Sequence, residues 1–234
     1  MVFSYVEDIT EAWCRNNGYL TQRNFPLRIK RESKKQFGWS DIDVLASNKK
    51  ETLIINCKNW IHQNGVRKLI SDMNIIGKKF SGTFADELNM PKTIKKIFVV
   101  DIWNHKDKFD REFDNSGIEK KELKELLEEL SISLAKDFIK RDHYSGKETN
   151  AVSRILLTMW YNKLMSDELK AKVYDEYIEK LKDFLRKKPK SSKRSINSFL
   201  NSLCINKGKE IERHNKEKYN LRLEEKKFII NRAR

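Results

Sequence analysis

Two neighbouring stretches of the chain place carboxylate, amide and ammonium groups at spacings suited to holding a hard cation beside a phosphate. Ser40-Asp41-Ile42-Asp43-Val44-Leu45-Ala46 is followed, across Ser47 to Glu51, by Leu53-Ile54-Ile55-Asn56-Cys57-Lys58-Asn59-Trp60. Alternate residues of a β-strand share a face. On a strand from Asp41 to Ala46, Asp41 and Asp43 therefore share one face, and Ile42, Val44 and Ala46 take the other. On a strand from Thr52 to Lys58, Leu53, Ile55 and Cys57 form an apolar face, while Asn56 and Lys58 lie opposite, roughly 7 Å apart. The polar connection Ser47 to Glu51 has hairpin length. A register that joins the polar faces gathers carboxylates and an ammonium at the end of an apolar hairpin. Magnesium suits such a cluster, since it takes oxygen ligands at about 2.1 Å, usually one or two carboxylates plus waters and substrate phosphate. A neighbouring lysine can orient a water or take its proton, and the cation stabilises charge on phosphoryl oxygens and leaving group. The chemistry that fits is phosphodiester hydrolysis. Singly, an Asp-x-Asp pair is ordinary turn chemistry and a lysine an ordinary surface group; order and shared faces together carry the reading.

Those strands need elements to hold them. Phe3, Val6, Trp13 and Cys14 recur near one stripe, which predicts an amphipathic helix ending at Asn17-Gly18. Tyr19 to Ile29 reads as extended, interrupted by Pro26, and Lys30 to Gln36 as a basic connector. Leu69, Met73, Ile76 and Phe80 predict a helix from Val66 to Phe80 behind Asn64-Gly65, and Lys95 to Trp103 reads as a buried strand. The order of helix, strand, hairpin, helix, strand predicts an α/β fold with a mixed sheet flanked by helices. From Glu119 onward leucine and aromatic periodicity predicts a mainly helical, basic extension. Arg186 to Arg194 reads as a basic linker within it, and Ser195 to Arg234 as a helix followed by a short strand at Phe228 to Ile230. The expected division is a core over residues 1–118 and the extension over residues 119–234.

Glu7 in the first helix, Gly18-Tyr19, then Asp41-Ile42-Asp43 and Asn56-Cys57-Lys58 together resemble the PD-(D/E)XK nuclease superfamily, with archaeal Holliday junction resolvases and Mrr-like restriction enzymes as the nearest look. The resemblance covers residues 1–103 and stops before residue 119. It implies a restriction-endonuclease-like core and a metal-dependent DNA endonuclease using Mg2+ or Mn2+. By position, Asp43 is the metal-binding aspartate, Lys58 the motif lysine, and Glu7 the helix carboxylate supporting the metal or its water. The backbone carbonyl of Cys57 is a further ligand. Asn56 departs from the pattern, standing where the family has Glu or Asp. Its amide oxygen ligates a hard cation without supplying charge, so metal affinity should fall. Asp41, on the face of Asp43, or Glu11, one turn after Glu7, are the expected compensating carboxylates. The alternative is a catalytically impaired nuclease fold that binds DNA or serves assembly. Frequent dimers in the family imply a homodimer.

The net charge of +15 points the same way, because lysine and arginine release condensed counterions from a phosphate backbone. It is uneven: residues 151–234 hold 22 basic and 11 acidic residues, against 27 and 23 in residues 1–150. Lys78 and Lys79, and Arg186, Lys187, Lys188, Lys190, Lys193 and Arg194, are the candidate nucleic-acid contacts. Duplex or branched DNA is the expected partner, with RNA as the alternative polyanion. Cys14, Cys57 and Cys204 lie far apart without zinc-ligand spacing, and His62, His105, His143 and His214 are scattered. Ser145-Gly146-Lys147-Glu148 lacks the flanking residues of a phosphate-binding loop, which removes nucleotide hydrolysis. Without an apolar run of spanning length or a leader signature, the expectation is a soluble cytoplasmic protein without a membrane role.

Overall fold

The computed structural model describes residues 4–30, 37–61, 63–103, 106–141, 150–161, 164–203 and 223–233. The chain forms two compact units, Met1–Leu130 and Ser131–Arg234. The first is built on a five-stranded mixed sheet in the order β1-β2-β3-β4-β5. Strands β1 (Leu20–Lys30), β2 (Phe37–Ser47) and β3 (Thr52–Ile61) are antiparallel neighbours; β4 (Ile94–Trp103) and β5 (Ile118–Glu122) add in parallel. Parallel addition requires a crossover. Helix α2 (Gln63–Lys79) supplies it between β3 and β4, continuing through a π-helical turn at Phe80–Phe84 into the single turn α3 (Ala85–Glu87).

Helix α1 (Tyr5–Asn16) carries Glu7 and Asp8 in its first turn and Arg15 in its last, each sign facing the helix-dipole end that favours it. Its apolar stripe buries Val6, Ile9, Ala12, Trp13 and Cys14. The helix stops where Gly18 adopts φ +81°, a left-handed conformation that glycine enters without a Cβ clash, and Tyr19 N–H bonds back to the Cys14 carbonyl at 3.1 Å. Elsewhere on the sheet, Phe25, Leu27, Ile42, Leu45 and Ile54 pack with Ile76 and Phe80 into one core. A second joins Ile61, Val66 and Met73 to Phe98, Val100 and Phe113.

Periodicity located the hairpin, α2 and β4 but missed two elements. Helix α4 (Lys106–Asp114) and strand β5 are both charge-rich, and β5 is a strand because Ile118 to Glu122 find open ladder positions along Lys96 to Val100. The helical region thus begins at α5 (Leu123–Arg141), not at Glu119. The expected 118/119 boundary falls at the start of β5, whereas the units divide between Leu130 and Ser131.

The second unit is helical: α6 (Ala151–Tyr161), α7 (Asp167–Val173), α8 (Asp175–Lys187), α9 (Lys193–Leu203) and α10 (Leu223–Ala233). Tyr174, Ile178, Leu181, Ile196, Leu200 and Ile229 form its core. The strand expected at Phe228 to Ile230 is instead part of α10, where Ile229 buries against helices and, among the described residues of this unit, no strand edge is present to pair with. The Arg186 to Arg194 segment is partly helical as well, since α8 runs through Lys187 and α9 begins at Lys193. Among the described residues no helix is long and apolar enough to cross a membrane.

Candidate active site

The hairpin opens into a fork. Strands β2 and β3 pair from Ser47↔Thr52 to Val44↔Ile55 and no further, although β2 begins at Phe37 and β3 runs on along β4 to Ile61. The β1 ladder breaks at the same level. Its register passes from Arg23↔Val44 to Phe25↔Ile42, and the skipped Asn24 sits at φ +49°, a conformation asparagine tolerates better than most residues. Asp43 is therefore left without a ladder partner on either side. The distortion also defeats strict alternation: Ile42 packs with Leu45 in the α2 core instead of sharing a face with Val44 and Ala46.

Asp43 fills the fork with its own side chain. Its Oδ2 accepts a hydrogen bond from the Cys57 backbone N–H at 2.6 Å and lies 3.6 Å from Lys58 Nζ. The carboxylate is buried, and its pKa is raised, chiefly by desolvation. Lys58 and the Cys57 N–H oppose that shift, while the charges of Glu7 and Asp41 add to it. A raised folded-state pKa means that the native protein binds the proton more tightly than the unfolded chain, so this group's contribution to stability falls as pH rises through the window between the two values. Asp43→Asn keeps an acceptor for the Cys57 N–H and removes the buried charge. It should raise the metal-free melting temperature at neutral pH, with the advantage fading below the ordinary carboxylate range near pH 4. Calorimetry across pH checks this, and a variant less stable than wild type at every pH would contradict it.

Asp41, Asp43, Asn56 and Lys58 line one cavity of about 450 Å³, as the sequence reading required. Asn56 is half-buried, yet its Oδ1 is fully enclosed and has no hydrogen-bond partner. An enclosed, unpaired acceptor costs roughly 1–3 kcal/mol. A bound cation would remove that penalty. One carboxylate and one amide oxygen, with the Cys57 carbonyl as the further ligand the resemblance implies, suit a magnesium ion that completes its shell with water and substrate phosphate. Among the described residues no three His, Cys, Asp or Glu side chains are grouped to hold a metal on their own. The donor set thus fits an ion that depends on substrate for part of its shell.

Other expected residues are placed differently. Glu7 is close enough for its charge to act on Asp43, but its Oε2 accepts from Arg23 Nη2 at 2.9 Å, and the same guanidinium holds Asp8. Glu11 is occupied elsewhere, accepting from Arg15 at 2.8 Å and from Thr21 Oγ1 at 2.9 Å, so it does not supply the missing carboxylate. The Cys57 thiol, bonded to Thr10 Oγ1 at 3.6 Å, has its pKa pushed well up by burial, and that of Cys14 rises to about 12 for the same reason; neither is a thiolate nucleophile. Lys78 and Lys79 end α2 away from this cavity, with Lys79 Nζ 5.7 Å from the Phe84 ring centre. Trp60 is exposed at the cavity's rim. His62, His105, His143, His214, Cys204 and the Ser145 to Glu148 segment lie outside the described residues, as does the side chain of Trp39.

Sequence reasoning missed three contributors. Lys68 and Asp72 enter the cavity from α2, and their four-residue spacing beside the Leu69, Met73, Ile76 stripe was the available signal. Arg23 had no comparable signal, because its role comes from the strand that places it under α1.

No family model matches this sequence, and no curated protein matches it. One solved structure, described as a protein of unknown function, AF1548, aligns over 72% of this chain and 97% of its own with a TM-score of 0.39 and 12% identity. A likeness that slight carries no argument about function.

Proposed function

We propose that the protein is a divalent-metal-dependent DNA endonuclease of the PD-(D/E)XK type whose site is the β2–β3 fork. The observation that carries this reading is the convergence, in one cavity, of a buried carboxylate, an enclosed amide oxygen without a partner and a lysine. Asp43, Asn56 Oδ1 and the Cys57 carbonyl would hold Mg2+ or Mn2+. When bound, such an ion lowers the pKa of a water and neutralises charge on the phosphoryl oxygens. The chain's own residues do the rest. The Cys57 N–H fixes the orientation of the Asp43 carboxylate, and Lys58, half-exposed beside it, is positioned to orient a water for attack on phosphorus and to accept or relay its proton. Lys68, on the cavity wall, offers a second cation to the substrate phosphate.

Conversion of supercoiled plasmid to nicked and linear forms tests the proposal. Wild-type cleavage should require Mg2+ or Mn2+ and cease with chelator; cleavage that persists in chelator would sink it. A second reading, a nuclease fold that binds DNA but cuts it poorly, is favoured by Asn56 in place of an acid and by Arg23 tying up Glu7. It differs in expecting DNA binding without cleavage under the same conditions.

A further inference from the structure

The second unit concentrates unneutralised charge at one corner. Along its helices, cations are generally balanced locally: Lys170 by Asp167, Lys180 by Glu176, Lys182 by Glu179, Arg186 by Asp183 and Lys136 by Asp175. Past Arg186 the pattern stops. Lys187, Lys188, Lys190, Lys193 and Arg194 are all exposed, and among the described residues none has an acidic partner. Helix α9, Lys-Arg-Ser-Ile-Asn-Ser-Phe-Leu-Asn-Ser-Leu, contains no acid at all. Holding like charges together without compensation costs free energy, so a patch of this kind differs from an ordinary solvated lysine face.

The corner is also shaped. Lys188, Arg194, Ser191, Ser195, Ser198 and Ser202 line a groove of about 500 Å³ between α8 and α9. Within α9, Ser195, Ser198 and Ser202 recur at spacings of three and four, which puts them on one side of the helix, opposite the buried Ile196 and Leu200. The Ser198 hydroxyl makes no hydrogen bond among the described residues, so it is available as a donor. Phe184 and Phe199 stack with ring centres 4.4 Å apart, and Lys188 Nζ lies 5.9 Å from the Phe184 ring. This packing fixes the groove's spacing before any partner arrives. The first turn of α9, entered through Ser192, whose Oγ accepts from Ser195 N–H at 3.2 Å, adds the positive end of a helix dipole.

We propose that the α8–α9 corner is a clasp for the phosphate backbone of duplex DNA, a DNA contact carried by the second unit in addition to the Asp43 cavity. The choice of DNA rests on the function proposed above; the clasp itself rests on charge and groove. Cations of one sign beside neutral hydroxyl donors match a run of phosphates, where hydrogen bonds fix position without reading sequence. An anionic membrane fits less well, because among the described residues none of the large exposed apolar side chains lies at this corner. An acidic protein fits less well, because Phe184 and Phe199, the apolar part of the groove, are already stacked on each other, and the rest of the lining is cations and hydroxyls suited to phosphate oxygens.

The test uses the full chain, a labelled duplex of mixed sequence, and chelator to prevent cleavage. Replacing Lys190, Lys193 and Arg194 together by Ala should lower affinity by about tenfold or more at low salt, and the slope of log K against log salt should fall by about 3. These side chains are exposed, so the fold should survive, and circular dichroism checks that it does. Lys190→Arg with Lys193→Arg should bind as wild type, and Ser198→Glu should weaken binding by placing a carboxylate in the groove. Unchanged affinity and slope in the triple variant would overturn the clasp, as would wild-type preference for duplex RNA, polyglutamate or anionic vesicles over DNA. The two proposals fail separately. Binding without any cleavage defeats the nuclease and leaves the clasp, whereas metal-dependent cleavage with normal binding by the triple variant does the reverse.

Discussion

Asp43→Ala is expected to reduce metal-dependent plasmid cleavage by about 10²- to 10³-fold, the scale lost when a preorganised electrostatic group is removed from a reacting centre. Asp43 is the carboxylate common to every interaction in the fork: it receives the Cys57 N–H at 2.6 Å, sits 3.6 Å from Lys58 Nζ and shares its cavity with Asn56. The substitution also leaves the Cys57 N–H without its acceptor, at roughly 1–3 kcal/mol. A loss of activity could then reflect a loosened fork. Asp43→Asn separates the two effects, since it restores the acceptor without the charge. Both variants should be inactive at protein concentrations where each is folded by circular dichroism. Lys58→Ala should fold but be somewhat less stable than wild type at neutral pH, because it removes the cation that offsets the buried Asp43 charge, and lose about 10²- to 10⁴-fold in rate if it moves a proton in the rate-limiting step. Wild-type rates in both Asp43→Ala and Lys58→Ala would move the active site elsewhere.

Asn56→Glu should act in the opposite direction. The residue's enclosed Oδ1 is an acceptor that the fold leaves unsatisfied, and replacing it with a carboxylate adds a charge where a cation would sit. Two unit charges about 4 Å apart at an effective dielectric near 20 interact by about 4 kcal/mol. Some of that is lost because the new acid competes for a proton beside Asp43, whose own pKa is already raised by burial and by nearby carboxylates. The net expectation is a gain in Mn2+ affinity of about 10²-fold, with higher cleavage at limiting metal. The same variant should be less stable than wild type at neutral pH without metal, and that deficit should shrink on acidification, because the added acid also carries a raised folded-state pKa. Isothermal titration with Mn2+ and metal-free melting curves measure the two halves. A folded variant whose metal affinity does not move would show that Asn56 lies outside any ion's reach.

How far the sequence foretold this arrangement depended on whether each feature was local. The hairpin was readable because its signals are contiguous: alternating apolar residues on both strands and Asn48, whose Oδ1 caps the turn by accepting from Lys50 and Glu51 N–H at 2.8 and 3.0 Å. The first helix, α2 and β4 were readable from periodicity for the same reason. Strand β5 was not. Ile118 to Glu122 is a charged segment that becomes a strand because β4 offers it an unpaired edge, and that edge exists only after the sheet forms. Phe228 to Ile230 failed in the opposite sense, since a short apolar run reads equally as strand or helix until its packing partners are known.

The sequence alone determined the inventory of the site: which residues carry charge, that Asp43, Asn56 and Lys58 ride on two adjoining strands, and that the basic excess lies toward the C-terminal end. Tertiary structure decided which of them meet. The packed fold separates β2 from β3 at Asp43, ties Glu11 to Thr21 of β1, binds Glu7 to Arg23 and brings Asp72 and Lys68 in from α2. The physical reason is that strand alternation and helical spacing act within one element. Ladder breaks, ion-pair choice and desolvation depend on which elements press together, and a linear pattern does not encode that contact directly.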